Sequence, residues 1–315
     1  MIDSEVVIVG GGPAGSTCAW KLKQKGISTV VLDKKTFPRA KICAGWITPE
    51  VLRILEIKKE NYPYSLTTYG SLHFHFWGRK IPILTRRQYA VRRFEFDHWL
   101  LQRAGVDVYQ HEVKIIRKEF NYYIVDDTYR CRYLVGAGGT YCPVYKTFFA
   151  DRYPRSARHL ISTVEIEYAF NVRDEKCYLW FFENRLPGYA WYVPKKDGFL
   201  NIGMGGKLLA MKSRGKTIRR YWDDFSQKLG RLGLICQQEQ QLQGWNYYIR
   251  QQHGILRWGN AFVVGDAAGL ATLDMGEGIR PAVQSGIMVA RTISEGIDYS
   301  HATIGKYSFP DILFL

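Results

Sequence analysis

EVVIVGGGPAG, residues 5–15, is the stretch of the sequence that decides the fold. Its first part, residues 5–9, carries a short apolar run that is typical of a strand buried on both faces. Three glycines follow, and Pro13 then opens a segment with apolar residues at helical spacing, which Gly26 ends. The order of strand, glycine turn and helix predicts the first half of a βαβ unit.

The second half of that unit is STVVLD, residues 28–33, another buried-strand pattern that ends in an acid. In the turn, Gly10 permits the tight bend, Gly12 lets a pyrophosphate approach the backbone, and Gly15 allows close helix packing. The helix N-terminus presents N–H groups to the phosphates. Asp33 would accept hydrogen bonds from ribose hydroxyls and repel a 2′-phosphate, so the pattern predicts FAD or NAD rather than NADP. The predicted dinucleotide site comprises Gly10, Gly12, Pro13, Ala14, Gly15, Asp33 and Lys34.

The composition is that of a globular protein with about two domains. Of 315 residues, 46% are hydrophobic and 23% are charged, which excludes disorder, collagen and a coiled coil. No apolar run reaches the length of a membrane helix, and the N-terminus has no signal-peptide pattern. The six cysteines are scattered without a C-x-x-C pair or a Cys/His cluster, so we predict no metal site and a reducing, cytoplasmic location.

The net charge is strongly positive, with 44 Lys and Arg against 29 Asp and Glu, a formal charge of +15. The basic residues are dispersed, largely as doublets, and no nucleic-acid-binding motif is present, so no nucleic-acid partner is predicted. Two interpretations stay open: a solvated basic surface, or attraction to an anionic cofactor, a phosphate-bearing lipid or a membrane that the protein contacts peripherally. Aromatic residues make up 15% of the chain, which suits either a large apolar pocket or an ordinary core.

Parallel-type segments flank and interrupt a region of alternating aromatic and polar residues, which is typical of antiparallel strands. We therefore predict an α/β fold in which a Rossmann-like cofactor domain is assembled from residues 1–64, 94–155 and 250–315. A mainly antiparallel β-sheet domain is predicted to be inserted into it and to bind the substrate. It comprises residues 65–93 and 156–249.

A second signal lies near the other end of the chain, AFVVGDAAGLATLDMGEGIRPAVQSG at residues 261–286. Together with the N-terminal glycine motif, this pattern resembles the three-layer, glutathione-reductase-type FAD fold. Within that fold the chain is similar to the geranylgeranyl reductase family, which is related to the p-hydroxybenzoate-hydroxylase-like flavoproteins. The resemblance implies that Asp266 holds the ribityl hydroxyls. It also implies that the GEGI turn sets a helix N-terminus against the flavin, where it would stabilise the anionic reduced ring. The residues implied are Gly265, Asp266, Gly276, Gly278 and Ile279.

Two further stretches match the cofactor side of the same family. RAKICAGW, residues 39–46, resembles the segment that runs past the flavin. RFEFDHWL, residues 93–100, resembles a helix start whose arginine reaches the FAD. The contacts that the resemblance implies are Cys43, Ala44, Arg93 and, through its backbone at the adenine end, Val113.

One stretch matches the substrate side, LPGYAWYVPKKDGFLNIGMG at residues 186–205. It resembles the sheet that roofs the substrate cavity in the family, which implies pocket roles for Tyr189, Trp191 and Pro194. Tyr189 and Trp191 are two residues apart on a strand, so their rings share one face of the sheet. From the spacing alone, that face could equally belong to the hydrophobic core. Cys43 and Tyr189 are the candidate catalytic residues, as proton donors, although Cys43 also fits a small buried residue.

The chain departs from the patterns of related flavoproteins at several positions. GAGG at residues 136–139 has Gly138 where related hydroxylases carry an Asp, and Cys142 and Tyr145 replace the Ser and Arg that follow. These changes leave the electron donor open between NAD(P)H and a reduced ferredoxin- or flavodoxin-like protein. Leu273 replaces the Pro that usually precedes the flavin-side turn, which weighs against oxygen chemistry.

The leading hypothesis is an enzyme, an FAD-dependent oxidoreductase that reduces C=C bonds of a large apolar, prenyl-like substrate by hydride transfer from reduced flavin. FAD is expected to be bound non-covalently. Two alternatives stay open: a flavin-dependent monooxygenase or halogenase, and a flavin-binding redox protein without turnover. Family members commonly continue with further helices, so we expect a cavity that is more open or that is completed by another subunit or a membrane. The oligomeric state is left open.

Overall fold

A computed structural model of the chain describes residues 1–172, 174–236, 241–252 and 254–313. The strands, in chain order, are β1 (Ile2–Val9), β2 (Thr29–Asp33), β3 (Trp46–Ile47), β4 (Leu66–Tyr69), β5 (Leu72–Phe76), β6 (Arg79–Ile81), β7 (Gln88–Val91), β8 (Asp107–Gln110), β9 (Ile116–Glu119), β10 (Tyr122–Val125), β11 (Tyr129–Gly136), β12 (Leu160–Ala169), β13 (Cys177–Phe181), β14 (Gly188–Lys195), β15 (Phe199–Lys207), β16 (Gln243–Tyr248), β17 (Arg257–Trp258) and β18 (Ala261–Val263). The helices are α1 (Pro13–Gln24), α2 (Pro49–Ile54), α3 (Arg93–Ala104), α4 (Pro143–Phe148), α5 (Leu208–Ser213), α6 (Ile218–Arg231), α7 (Ile279–Glu295) and α8 (Phe309–Ile312).

The chain divides into two compact units, each assembled from separate segments. Unit 1 comprises Met1–Arg39, Phe94–Ser156 and Tyr247–Ser308, and unit 2 comprises Ala40–Arg93, Ala157–Asn246 and Phe309–Leu315. Residues 40–64 and 309–315, which the sequence analysis placed in the cofactor domain, therefore group with unit 2. The reason is strand pairing, because β3 pairs with β7 and Leu313 forms a bridge with Thr85.

Unit 1 is built on a mainly parallel sheet with the strand order β17-β18-β11-β1-β2-β8. The neighbours from β18 to β8 pair in parallel, and β9 and β10 extend the sheet as an antiparallel hairpin. Because the carboxyl ends of parallel strands meet at one edge, Val9 lies beside Gly136, which lies beside Val263. The glycine turn after β1, Asp33 at the end of β2 and Gly265 after β18 therefore follow at the same edge.

Helices α1 and α7 pack against each other, and α1 also contacts β1 and β2. Gly286 makes the close crossing possible, because a Cβ built on it would lie 2.3 Å from the carbonyl oxygen of Ala14. The apolar residues of β1, β2, β11 and β18 form the core of unit 1 together with the apolar faces of both helices. The predicted N-terminal βαβ unit, the C-terminal helix and the α/β class are confirmed.

Unit 2 is built on a seven-stranded sheet with the order β16-β12-β15-β14-β13-β5-β6. From β12 to β6 the neighbours pair antiparallel, except that β13 and β5 are parallel. Helices α5 and α6 cover one face, where their apolar residues pack on Tyr192, Leu200 and Ile202. Because side chains alternate along a strand, the opposite face carries Tyr189 and Trp191. A small separate sheet has the order β3-β7-β4.

The segment that leads into α6 is broken where the sequence pattern predicts continuity. The apolar spacing from Met211 to Leu229 predicts one helix, but α5 ends at Ser213 and Gly215 adopts φ +65°, the left-handed conformation that ends helices. Thr217 then caps α6, because its side chain accepts a hydrogen bond from the N–H of Arg220 at 3.4 Å. The predicted amphipathic helix is present as α6, but the glycine stop and the cap outweigh the apolar period, so it begins at Ile218 and not at Met211.

Among the described residues, no helix combines the length and the apolar character needed to cross a membrane. The longest of them, α7, has 17 residues and includes Arg280 and Arg291, whereas a spanning helix needs about 20 apolar residues.

Candidate active site

Two glycines of the N-terminal turn are required by the packing of the turn itself. Gly10 has φ +114°, and a Cβ built on it would lie 2.4 Å from the carbonyl oxygen of Ala137. A Cβ on Gly15 would lie 1.9 Å from the carbonyl oxygen of Gly10. Neither space accommodates a side chain, so these positions fix the close approach of β1, α1 and the end of β11.

Gly12 differs, because the protein leaves room for a side chain there. Its φ is −72°, and a built Cβ would meet Nη2 of Arg39 at 3.5 Å, which is an ordinary contact. Helix α1 begins at the next residue, and no side chain caps its N-terminus. A glycine that packing does not require, at an uncapped helix N-terminus, fits the backbone recognition of a pyrophosphate.

Arg39 faces this glycine and was not among the residues predicted from the sequence. Its guanidinium lies 3.5 Å from the fully buried carboxylate of Asp97 and 4.6 Å from the ring centre of Phe37. These contacts hold the cation beside Gly12, where a positive charge would complement the predicted phosphate ligand. Arg39 opens the RAKICAGW stretch that resembles the family, but no spacing rule singles it out within that stretch.

Asp33 organises the turn with both of its carboxylate oxygens. Oδ2 accepts a hydrogen bond from the N–H of Gly11 at 2.8 Å, and Oδ1 accepts one from the N–H of Lys35 at 2.9 Å. Each carboxylate oxygen can accept more than one donor, so this geometry is compatible with additional bonds to ribose hydroxyls. The carboxylate thus stabilises the glycine turn of the chain and stays suited to its predicted ligand.

The structure brings the two predicted cofactor motifs together, although they lie at opposite ends of the sequence. After β18, Gly265 opens a short 3₁₀ helix, and its N–H donates to Oγ of Ser285 at 3.0 Å. A Cβ built on Gly265 would lie 3.2 Å from Cβ of Ala14 in the first motif. Asp266 is half-buried, and its Oδ1 would lie 3.4 Å from a Cβ built on Gly278. One edge of unit 1 therefore carries the glycine turn, Asp266 and the start of α7.

The GEGI turn is braced from within unit 1. The N–H of Glu277 donates to Oγ1 of Thr272 at 3.0 Å, and Oε1 of Glu277 accepts from the N–H of Arg280 at 2.6 Å. A Cβ on Gly276 would lie 2.4 Å from the hydroxyl of Tyr247, so no side chain fits there. The N–H of Arg280 is already hydrogen-bonded inside the protein. The backbone amides that remain for the predicted flavin contact are therefore those of Gly278 and Ile279.

Arg155 is a second cation at this edge that the sequence analysis missed. Its Nη1 donates to the carbonyl oxygen of Asp266 at 3.3 Å, and its guanidinium lies 3.5 Å from the ring centre of Tyr145. The Tyr145 hydroxyl also accepts from the N–H of Arg155 at 3.1 Å. Tyr145 stands where related hydroxylases carry an arginine. Arg155 stacks on the Tyr145 ring and so places a positive charge beside the Gly265-Asp266 segment.

The altered Gly138 position is coupled to Cys142. A Cβ built on Gly138 would lie 3.3 Å from Cα of Cys142, which is tighter than most real contacts, and 3.4 and 3.5 Å from its Sγ and Cβ, which are ordinary distances. An aspartate at residue 138 would therefore require a shift of a few tenths of an ångström at Cys142. The two departures from the pattern of related hydroxylases therefore belong to one local packing arrangement.

The remaining predicted cofactor residues lie in different surroundings. Lys34 is exposed after β2, and Val113 is buried in the core of unit 1. Arg93 is buried at the first position of α3, while Cys43 and Ala44 are half-buried in unit 2. The cofactor roles of these residues stay predictions.

On the unit 2 sheet, side chains from two strands hold the backbone of Cys43. Its N–H donates to Oε1 of Glu165 on β12, and its carbonyl accepts from Nδ2 of Asn201 on β15 at 3.5 Å. The same Nδ2 lies 3.4 Å from Oε1 of Glu165, and Oδ1 of Asn201 accepts from Nε1 of Trp191 at 2.8 Å. We call Cys43, Glu165, Trp191 and Asn201 the Glu165 network.

The aromatic residues beside this network form a row on the same sheet face. Phe181 stacks on Tyr189 with ring centres 5.1 Å apart, and the rings of Tyr189 and Trp191 are 5.7 Å apart. Trp191 lies over Gly203, where a Cβ would be 2.4 Å from its ring. Pro194 pairs with Leu200 and falls on the opposite, helix-covered face, so it does not share a wall with Trp191.

The two carboxyl groups of this face have different protonation behaviour. Burial raises the pKa of Glu165 to about 7, and Lys195 offsets that rise only in part. For Glu167, burial alone would raise the pKa, but Lys195 at 2.5 Å and Arg92 at 3.2 Å together hold it below its usual range. Near neutral pH the face therefore pairs an ionised carboxylate with a carboxyl group that still carries its proton in part.

Sequence reasoning missed Glu165, although one signal was present. VEIEYA at residues 164–169 places two acids on one face of a strand-like run, which is costly unless those acids are partnered. The partners come from β14, β15 and the Cys43 segment, which only the sheet register identifies.

Residues 8–51 match the family model of an NAD(P)-binding Rossmann-like domain. In an alignment of 316 positions, the chain is 33% identical to an uncharacterized protein of Methanosarcina barkeri. This alignment covers 93% of this chain and 75% of that protein. The chain is 25% identical to the digeranylgeranylglycerophospholipid reductase of Thermoplasma acidophilum, over 96% of this chain and 82% of the reductase. The chain belongs to the geranylgeranyl reductase family.

As a member of this family, the chain is an FAD-dependent oxidoreductase. Solved structures share the fold. A geranylgeranyl bacteriochlorophyll reductase-like protein from Thermoplasma acidophilum superposes with a TM-score of 0.81 at 22% identity, over 94% of this chain and 79% of that one. A flavin-dependent brominase superposes with a TM-score of 0.72 at 19% identity, over 93% and 79%. At these identities the likeness establishes the fold of this geranylgeranyl reductase family member, including its Rossmann-like unit.

Asp266→Ala is expected to weaken FAD binding about 10- to 100-fold with little loss of fold. A charged acceptor of hydrogen bonds contributes roughly 1.5–3 kcal/mol, and the half-buried carboxylate adds little to the core. Equilibrium dialysis of the apoprotein against FAD measures the change, with Asp266→Asn as the control that keeps an acceptor oxygen. Wild-type FAD affinity in a folded Asp266→Ala protein would remove this residue from the cofactor site.

Proposed function

We propose that this chain reduces the C=C bonds of a large apolar, prenyl-type lipid. The observation that carries the proposal is the buried carboxyl group of Glu165 beside an aromatic sheet face, where burial raises its pKa to about 7 so that it stays protonated in part near neutral pH. When bound and reduced, FAD supplies a hydride. The reduction of an isolated double bond also needs an acid that protonates the second carbon.

The sheet face supplies binding surface for the hydrocarbon. Phe181, Tyr189 and Trp191 form a row of rings, the first two stacked and the third tilted against Tyr189, and ordered aromatic surfaces bind apolar chains at low entropic cost. This arrangement fits an extended prenyl chain better than a compact polar substrate.

Glu165 is better suited to donate the proton than the two residues predicted from sequence. Its Oε1 accepts from Cys43 and Asn201, which leaves Oε2 as the natural position of the proton. A tyrosine phenol such as that of Tyr189 is by its chemistry a weaker acid than a carboxyl group. The Cys43 thiol accepts from the N–H of Gly45 at 3.4 Å, and the role proposed for Cys43 is to border the site through its fixed backbone.

The cofactor and donor assignments extend the same proposal. FAD is expected to be non-covalent, held by the glycine turn, Asp33, Asp266 and the start of α7. The reductant is NAD(P)H or a reduced ferredoxin- or flavodoxin-like protein. The packed Gly138–Cys142 arrangement favours the protein donor, because it departs from a segment associated with nicotinamide handling in related hydroxylases.

The test is anaerobic turnover of the FAD-loaded protein with dithionite as reductant and a digeranylgeranylglycerophospholipid as substrate. The expected product gains two hydrogen atoms per double bond reduced, as read by mass spectrometry, and needs no air. A product that appears only in air and carries an added oxygen would establish the monooxygenase alternative. An unchanged lipid under both conditions would favour the redox protein without turnover.

A further inference from the structure

Two neighbouring turns of unit 2, after β5 and after β13, carry exposed aromatic rings. Trp77 is 71% exposed and Phe182 is 36% exposed. The two rings stack with centres 4.9 Å apart and planes inclined by 24°. The N–H of Trp77 donates to the carbonyl oxygen of Phe181 at 3.1 Å, which ties the turns together. We call Trp77 and Phe182 the aromatic tip.

The backbone at the tip is one that aromatic residues rarely adopt. Trp77 has φ 47° and Phe182 has φ 57°, both in the left-handed region, where a side chain is unfavourable. Exposure of the rings adds a second cost, because apolar surface stays in water. Paired rings held outward against both costs indicate a contact with something outside the chain.

The turn that carries Phe182 also borders a basic cavity. The cavity has a volume of about 510 Å³ and is lined by Asn184, Arg185, Lys216, Asp224, Gln227 and Arg231. The lining has three cations and one carboxylate, Asp224, whose Oδ2 lies 3.9 Å from Nζ of Lys216. The surface around it has the same sign, since residues 207–231 include eight Lys and Arg against two Asp. A phosphate group is the ligand chemistry that complements this cavity.

We propose that this edge of unit 2 docks on an anionic phospholipid surface, with the aromatic tip in the interfacial layer and the basic cavity around a lipid phosphate. Tryptophan prefers the membrane–water interface, and basic side chains beside it gain from the negative surface potential. An acidic electron-transfer protein would match the charge but gives no reason for an exposed, strained Trp77. The lipid surface accounts for the tip and the cavity together.

The test is cosedimentation of the FAD-loaded protein with vesicles of phosphatidylcholine alone or mixed with phosphatidylglycerol. We expect binding to the anionic vesicles that weakens as salt rises, and little binding to the neutral ones. The double variant W77S/F182S and the double variant R185E/R231E should each lower the partition coefficient about tenfold or more. Phe120→Ser is the matched control: Phe120 is 97% exposed at a left-handed turn of unit 1, and its replacement should leave binding unchanged.

Every other outcome contradicts the proposal that this edge docks on a lipid surface. Equal vesicle binding by wild type and W77S/F182S, or loss of binding in Phe120→Ser, would show that the aromatic tip is not the docking point. Failure of the wild-type protein to bind anionic vesicles at low salt would also overturn the proposal. If that protein binds a flavodoxin, and R185E/R231E does not, the edge is an electron-transfer surface instead. FAD content and circular dichroism establish that each variant is folded, and none of these readouts depends on the proposed reduction.

Discussion

Glu165→Gln is expected to lower the rate of C=C reduction about 10²- to 10⁴-fold while the protein keeps its full FAD content. Glutamine retains an oxygen for the N–H of Cys43 and for Asn201, so the Glu165 network stays connected, but it has no carboxyl proton to release. The measurement is single-turnover lipid reduction by the prereduced protein without air, with the FAD absorbance of each preparation as the check on loading.

The pH profile separates proton donation from a merely structural role. Because the pKa of Glu165 is raised to about 7, the wild-type rate should be full well below pH 7 and fall as the pH rises through that value. The Glu165→Gln rate should be low and flat across the same range. Glu167→Gln is the matched control on the same strand: it removes a negative neighbour that raises the pKa of Glu165, so the profile should persist with a lower midpoint.

Two outcomes would contradict the assignment of Glu165 as the acid. One is a Glu165→Gln protein that reduces lipid at the wild-type rate, and the other is a variant that keeps the wild-type pH dependence. Absence of reduction in the wild type is a separate result, because it would refute the proposed function rather than the role of one residue within it.

Gly12→Val should yield a folded protein that purifies without FAD. The built Cβ at Gly12 meets only an ordinary contact with Arg39, so the chain accommodates a side chain, but the valine would occupy the approach to the α1 N-terminus. We expect FAD affinity to fall about 100-fold, equivalent to roughly 2.7 kcal/mol. Flavin absorbance after purification and titration of the apoprotein with FAD measure the loss.

Gly15→Val is the contrasting control for that experiment. Its Cβ would lie 1.9 Å from the carbonyl oxygen of Gly10, so this variant should lower the thermal unfolding midpoint of the apoprotein as well as the FAD content. Gly12→Val should leave the midpoint near that of the wild-type apoprotein. Wild-type FAD affinity in Gly12→Val would show that the pyrophosphate does not approach this turn.

The cofactor edge could be predicted because its signals are local. A buried strand, glycines at fixed spacing and a helix start require one another within a few residues, and Asp33 must follow the next strand of the same unit. The Gly265-Asp266 segment carries a second local signal of the same kind. Parallel pairing of β1, β11 and β18 then brings both motifs to one edge of the sheet, as expected for two motifs that bind the same cofactor.

Contacts between segments that lie far apart along the chain could not be predicted from the sequence. Arg155 replaces the charge missing at Tyr145 only because the chain folds back to stack the two side chains. Pro194 matches a family motif, yet strand alternation puts it on the face opposite Trp191. The break before α6 was readable from Gly215 and Thr217, but apolar periodicity alone concealed it.

The sequence by itself determined the α/β class, the dinucleotide turn and the family, because each rests on short motifs whose geometry is set within one strand–turn–helix unit. Only the tertiary structure identified Glu165 as an acid. Its raised pKa comes from burial among β12, β14, β15 and the Cys43 segment, and desolvation is a property of the packed surroundings. The aromatic tip likewise exists because the parallel pairing of β5 with β13 sets Trp77 beside Phe182, a neighbour far away along the chain.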